Sequence, residues 1–226
     1  MDVKYCRIEK NGEYSIIGIL ADHLCKSKCK HYYTWLNSMD DFKGGETTFG
    51  KIPRLQKFYD KEMRYFCNTW KNKSMDRWMS HKYDDTLLEM QTFLQNQINA
   101  LDIFEKKGVY KPILNSCLIN KYESEINSIK PHRDSHDTFG TNPTVIGVSL
   151  GEERDILFKR IEYDPCNLKS IKPDYANPEE IRISLPHGSI MLMAGAVQKY
   201  FSHEIPKCSN GSRKKLRYSL TFREYI

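Results

Sequence analysis

Short apolar runs separated by Gly, Pro and Asn dominate the chain from Tyr110 onward. Those at 116–122, 144–150, 156–161, 181–185, 189–193 and 216–223 are rich in Val, Ile, Leu and Phe and predict β-strands. Many short strands in succession predict a sandwich or jelly roll. A different period precedes them. Leu87, Met90, Leu94, Ile98 and Leu101 recur every three or four residues, which predicts one amphipathic helix over 86–107. Asp84 or Asp85 can cap its start and Gly108 ends it. Its predicted role is to buttress a sheet. Upstream, 16–20 suits a strand or a helix approach, 23–38 has helical spacing, and Gly44-Gly45 ends the segment. The Pro- and charge-rich stretch 163–180 predicts a surface insertion. The expected organisation is one structural domain in four parts. These are an N-terminal strand/helix extension (1–45), an aromatic-basic segment (46–82), a buttressing helix (83–109) and a strand-rich catalytic core (110–226).

Residues 46–82 fit neither period cleanly. Phe49, Phe58, Tyr59, Tyr65, Phe66, Trp70 and Trp78 alternate with Lys51, Arg54, Lys57, Arg64, Lys71, Lys73 and Arg77. This composition suits a peripheral layer packed on the core, or a lid that stacks bases and touches phosphates. The net charge of +6 and the isoelectric point near 8.8 permit a polyanionic partner without requiring one. The 7 cysteines are odd in number and irregularly spaced. They argue against a secreted disulfide framework and for an intracellular, reducing compartment. The close trio Cys25, Cys29 and His31 matches no common zinc module. The N-terminus does not resemble a signal peptide, and the apolar run 15–21 is too short to span a bilayer, so no membrane association is expected.

The candidate chemistry lies in the strand-rich half. His132 and Asp134 stand two apart after Pro131, so an extended backbone would put both on one face. A third ligand from a distant strand would complete two histidines and a carboxylate, the arrangement of non-haem Fe(II) oxygen chemistry. His203 is the natural third. His187, in Leu185-Pro186-His187-Gly188, reads as part of a turn, and His136 as a residue lining the site. The last strand strengthens the case. Tyr218, Leu220 and Phe222 would face one layer, and Arg217, Ser219, Thr221 and Arg223 the other. Two arginines on an inward face call for counter-ions, because an unpaired buried charge costs several kcal/mol. A dicarboxylate such as 2-oxoglutarate would supply them. Asn120 and Tyr122 share one face of the preceding strand and can orient a carboxylate oxygen.

These stretches together resemble the AlkB family of Fe(II)/2-oxoglutarate dioxygenases. The resemblance runs through Leu118-Ile119-Asn120-Lys121-Tyr122, His132-Arg133-Asp134, Val148-Ser149-Leu150-Gly151, Leu185-Pro186-His187-Gly188-Ser189, Met191-Leu192-Met193, His203-Glu204-Ile205-Pro206 and Arg217 to Arg223. More weakly, Phe49-Gly50-Lys51 with Pro53-Arg54 resembles the lid of the duplex-DNA repair branch. The resemblance implies a mixed α+β chain with a double-stranded β-helix (jelly-roll) core, buttressing helices and a nucleotide-recognition lid. It implies oxidative demethylation of N-alkylated bases of the 1-methyladenine and 3-methylcytosine type, in DNA. The same chemistry on RNA or a protein side chain is the alternative, and a non-enzymatic binding module is a further one. His132, Asp134 and His203 would bind Fe(II), with O₂ and 2-oxoglutarate as co-substrates. Arg217 would hold the distal carboxylate and Arg223 would lie at the keto-acid end, with Asn120, Tyr122, Ser219 and Thr221 completing the pocket. Phe49 would fill the gap left by a flipped base, and Tyr65 or Phe66 would stack on that base. Lys51, Arg54, Ser135, His136 and Asp137 would also meet the substrate. Ser135 and His136 stand where the family usually carries an acidic residue. The protein is expected to act as a monomer on nucleic acid.

Overall fold

The structure, a computed structural model, describes residues 1–20, 24–47, 50–67, 78–208 and 215–226, without the side chains of residues 46, 47, 50 and 51. Two largely antiparallel sheets face each other. The first eight-stranded sheet is built from β1 (Asp2–Ile8), β2 (Tyr14–Ile19), β5 (Leu55–Asp60), β6 (Ser80–His81), β7 (Ser116–Tyr122), β9 (Val145–Gly151), β12 (Ile190–Gly195) and β14 (Arg217–Arg223), in the order β1-β2-β12-β9-β14-β7-β5-β6. The second sheet has four strands, β8 (Ile129–His132), β10 (Arg154–Arg160), β11 (Glu180–Leu185) and β13 (Phe201–Ile205), in the order β11-β10-β13-β8. From β7 to β14 the chain passes repeatedly between the two sheets, which gives the jelly-roll core predicted by the run of short strands.

The hydrophobic periodicity explains what covers each face. Tyr218, Leu220 and Phe222 of β14, with Ile146 and Val148 of β9, point outward onto helix α2 (Asp85–Asn99) and helix α1 (Lys26–Ser38). Leu87, Met90, Leu94 and Ile98 of α2 are fully buried in that layer. Burying such side chains stabilises the fold by roughly 1.5–3 kcal/mol each. The Asp84 carboxylate accepts the Leu87 N–H at 2.8 Å, so Asp84 is the cap. The helix predicted over 86–107 is broken: α2 ends at Asn99, and a short α3 (Ile103–Lys106) follows before Gly108, at φ +60°. Between the sheets, Tyr122, Val145 and Met193 meet Ile156, Phe158 and Phe201.

The N-terminal part is less of an extension than its sequence suggested. It forms two strands, and β2 pairs with β12 to continue the large sheet. Part of the 46–82 segment is also sheet. β5 pairs with β7, and Phe58 and Tyr59 are buried core rather than an open stacking surface. A small hairpin of β3 (Glu46–Thr47) and β4 (Gly50–Lys51) precedes it. Phe49 lies outside the described residues, as does the side chain of Lys51.

One glycine has a direct bearing on the site. Gly151 ends β9 at φ +98°, and a Cβ there would lie 2.3 Å from the Leu216 carbonyl oxygen and 3.1 Å from Arg217 Cα. Only glycine allows both that backbone conformation and the close approach of β14. This seats Arg217 opposite Tyr122.

Candidate active site

Two of the strands missed by the hydrophobic pattern carry the candidate histidine ligands. In β13 and β8, His203 and His132 are register partners, with ring centroids 4.2 Å apart. Asp134 follows immediately after β8. Ligand atoms of His132, Asp134 and His203 all lie within 4.8 Å of one another, close enough to share one ion. His187 is elsewhere, in the turn before β12, where its Nδ1 accepts the Gly151 N–H at 2.8 Å.

The local bonding prepares this cluster for a cation. His132 Nδ1 lies 3.0 Å from the Lys130 carbonyl oxygen, which can only accept. That contact fixes the proton on Nδ1 and leaves the Nε2 lone pair for a metal. His203 Nδ1 is buried with no hydrogen-bond partner among the described residues. Burial, reinforced by the neighbouring His132, pushes the His203 pKa down to about 3, so the imidazole stays neutral. Burial likewise lowers that of His132, against the pull of Asp134. For Asp134, burial opposes ionisation, but Arg223 and the two histidines outweigh it and hold the carboxyl at about 2. Two neutral imidazoles beside one carboxylate form a good donor set for a divalent ion.

Sequence reasoning missed the residue that sets Asp134. In the short helix α5 (Val197–Tyr200), Gln198 is buried and donates from Nε2 to Asp134 Oδ2 at 2.9 Å. Its Oε1 accepts the Asp134 backbone N–H at 3.1 Å, and its carbonyl accepts Arg133 Nε at 2.5 Å. Nothing in the pattern around Gln198 marks it, because the contact is made across 64 residues.

The structure treats the two arginines of β14 differently. Arg223 forks onto Asp134, with Nη2 at 2.9 Å from Oδ1 and Nε at 3.2 Å from Oδ2, and Nη1 donates to Thr221 Oγ1 at 3.0 Å. It therefore has a counter-ion within the protein, contrary to the expectation that both arginines await a dicarboxylate. Arg217 does not. It is 1% exposed, and its Nε donates to Ser149 Oγ at 3.0 Å. Its Nη1 and Nη2, and the nearby Tyr122 hydroxyl, are buried without a hydrogen-bond partner among the described residues. The Tyr122 ring lies 4.9 Å from the guanidinium carbon. Burial lowers the Arg217 pKa, with Tyr122 opposing the shift. Ser149 is a second residue the sequence did not single out for a role.

These groups open into one cavity of about 740 Å³. Asn120, Tyr122, Ser219 and Thr221 line it as expected. The Asn120 side-chain oxygen, Oδ1, accepts Arg54 Nε at 2.8 Å and Gln56 Nε2 at 3.1 Å. Of the predicted substrate residues, Arg54, Phe66, Ser135, His136 and Asp137 reach the cavity. Phe66 packs against Trp78 with ring centroids 4.5 Å apart. Tyr65 is not among the lining residues; it packs on the cluster that also holds Phe66 and Trp78, and its carbonyl accepts the Tyr225 hydroxyl at 2.9 Å.

The sequence profile of the 2OG-Fe(II) oxygenase superfamily matches residues 26–223, which takes in the whole small sheet, all of the large sheet but β1 and β2, and the cavity between them. The chain belongs to this superfamily. It is 33% identical over 109 residues to alpha-ketoglutarate-dependent dioxygenase alkB homolog 3 of Rattus norvegicus, a match covering 48% of this chain and 35% of that protein. It is 28% identical over 130 residues to DNA oxidative demethylase ALKBH2 of Arabidopsis thaliana, covering 51% of this chain and 40% of the relative. The matched stretch thus spans well under half the length of either relative. Among solved structures, that of OsALKBH1 superposes with a TM-score of 0.57 at 12% identity, over 92% of this chain and 97% of that chain. The 2-oxoglutarate-dependent epimerase SnoN superposes at 0.61 and 12% identity, over 92% of this chain and 76% of that chain. At such identities the likeness is one of fold. Members of the superfamily use Fe(II), 2-oxoglutarate and O₂.

Proposed function

We propose that this protein is an Fe(II)- and 2-oxoglutarate-dependent oxygenase that removes N-alkyl groups from nucleobases, with DNA as the preferred nucleic acid. The observation that carries the proposal is the buried Arg217, without a carboxylate partner among the described residues, in the same cavity as the His132–Asp134–His203 cluster. A guanidinium with both Nη atoms unbonded is costly on its own and matches the fork of an incoming carboxylate. The nucleic-acid assignment is supported by the names of the relatives, which include a DNA oxidative demethylase. The basic net charge favours it as well.

In this scheme His132, Asp134 and His203 hold the iron. Bound there with 2-oxoglutarate, it would supply O₂ activation, with succinate, CO₂ and, from an N-methyl group, formaldehyde as the products beside the dealkylated base. Arg217 holds the far carboxylate, with Ser149 fixing its Nε and Tyr122 beneath its plane. Asn120, Ser219 and Thr221 line the co-substrate pocket. Arg223 and Gln198 hold Asp134 from two sides, so its carboxylate stays charged and oriented. Phe66 offers an aromatic face to the base, and Arg54 a cation beside it.

The test is incubation with Fe(II), ascorbate and 2-oxoglutarate on DNA and RNA oligonucleotides carrying methylated bases, with 1-methyladenine and 3-methylcytosine as reference lesions. Loss of the methyl mass from one or more bases in the wild type, and none with His132→Ala, is expected. Conversion of 2-oxoglutarate with every methyl group intact would overturn the nucleobase assignment.

A further inference from the structure

We infer that the wall formed by His136, Asp137 and Lys169 makes the cavity select an electrically neutral N-alkylated base over a positively charged one. This rests on the dealkylation proposed above and names the class of base. Among the described residues the carboxylates that line the cavity are Asp134, Asp137 and Glu204, and each is paired with an arginine or a lysine. Asp134 is forked by Arg223 at 2.9 Å, and Glu204 meets Lys159 Nζ at 2.7 Å. Asp137 is held by His136 Nε2 at 2.8 Å and approached by Lys169 Nζ at 3.8 Å. None of these three lacks a cation, so a cationic ring would have to compete with Lys169 for Asp137.

The balance of charge points the same way. With Arg54 left aside because it is engaged elsewhere, Lys130, Arg133, Lys169, Arg217 and Arg223 line the cavity, so among the described residues five cations face three carboxylates, an excess of two. The doubly charged iron and the doubly negative co-substrate cancel, which leaves that excess unchanged in the loaded site. A cationic base would give up its hydration to enter a cavity of its own sign. A neutral base with ring carbonyls would meet donors instead, from the Lys169 ammonium and the His136 ring.

Lys169 reaches this wall from far along the sequence. It belongs to the insertion between β10 and β11, whose Leu168 and Ile171 also line the cavity. Arg133 Nη1 ties the insertion down by donating to the Ser170 carbonyl at 3.4 Å. The stretch expected to be plain surface is therefore a rim of the site. The Lys169 side chain is 73% exposed, so solvent screens its charge and the preference it confers is moderate.

The matched probes are 3-methylthymine, which is neutral, and 3-methylcytosine, which is positively charged near neutral pH, placed in one oligonucleotide sequence. Two ratios are read: kcat/KM in competition, and oligonucleotide affinity for the His132→Ala protein by fluorescence anisotropy. The expected result is a preference of about tenfold or more for 3-methylthymine in both. Lys169→Glu and His136→Glu should each reduce it by about tenfold. Equal or better use of 3-methylcytosine by the wild type would overturn the inference while leaving dealkylation intact. So would an unchanged ratio in variants whose circular dichroism matches the wild type. Failure to dealkylate any methylated base, these two included, would remove the nucleobase proposal and this inference with it.

Discussion

Replacing Arg217 by Met should weaken 2-oxoglutarate binding without weakening the fold. In the ligand-free protein this guanidinium is 1% exposed and, among the described residues, has no carboxylate partner and two unbonded Nη atoms. An unsatisfied buried polar group costs about 1–3 kcal/mol, more when charged. Against that stand one hydrogen bond to Ser149 and the contact with the Tyr122 ring, each worth about 1–2 kcal/mol. Met fills similar space with no charge to desolvate. The net change in stability of the metal-free protein should therefore lie between zero and a gain of about 2 kcal/mol. Removing one partner of a buried charge pair costs about 2–5 kcal/mol of binding, so affinity for 2-oxoglutarate should fall by a factor of about 30 or more. Urea unfolding of the metal-free proteins gives the first quantity. Anaerobic calorimetric titration of the Fe(II) proteins with 2-oxoglutarate gives the second. Ligand at 100 times its dissociation constant should add about 2.7 kcal/mol to the wild type, and far less to the variant at the same concentration. A variant destabilised by more than about 2 kcal/mol that still binds 2-oxoglutarate normally would show that Arg217 serves the fold and not the ligand.

Three further outcomes follow from the same geometry. Gln198→Ala should lower Fe(II) affinity by about 10–100-fold, because Asp134 loses its 2.9 Å partner; a metal titration with no shift would refute this. The metal-free protein should lose stability as pH falls from 6.5 towards 3. A His203 pKa depressed from 6.5 to about 3 gives stability that is full above 6.5 and lost on descent, by up to about 1.4 kcal/mol per pH unit. Asp134 adds a second loss only as pH falls from 3.8 towards 2, and urea midpoints of His203→Gln should be flatter between pH 6.5 and 4 if this is right. Gly151→Ala should destabilise by about 2 kcal/mol or more and also weaken 2-oxoglutarate binding, since a Cβ would strike the backbone that seats Arg217; wild-type values for both would contradict the close approach.

How much of this was legible in sequence varies with the kind of residue. The strands β7 and β14 could be read directly, because both alternate or run apolar over 7 residues. The strands β8 and β13 could not. Ile129-Lys130-Pro131-His132 and Phe201-Ser202-His203-Glu204-Ile205 give apolar positions over to ligands and charges, and their pairing with each other supplies what local propensity lacks. The break in the 86–107 helix at Ala100 escaped notice because Leu101 and Ile103 continue the apolar spacing and still pack on the same layer. At the site, the types His, Asp and Arg at alternating positions announced themselves. The split between a paired Arg223 and an unpaired Arg217 did not, since it depends on which residue stands across the cavity. Gln198 and Lys169 are common surface residue types brought to the site only by tertiary folding.

The central claim is that one cavity couples 2-oxoglutarate turnover to removal of an alkyl group from a nucleobase. It is tested most directly by counting products in one reaction on a methylated oligonucleotide. The expected result is succinate, formaldehyde and demethylated base in a 1:1:1 ratio, all absent with Asp134→Ala. Succinate formed at the same rate with and without the oligonucleotide, and no formaldehyde, would contradict it.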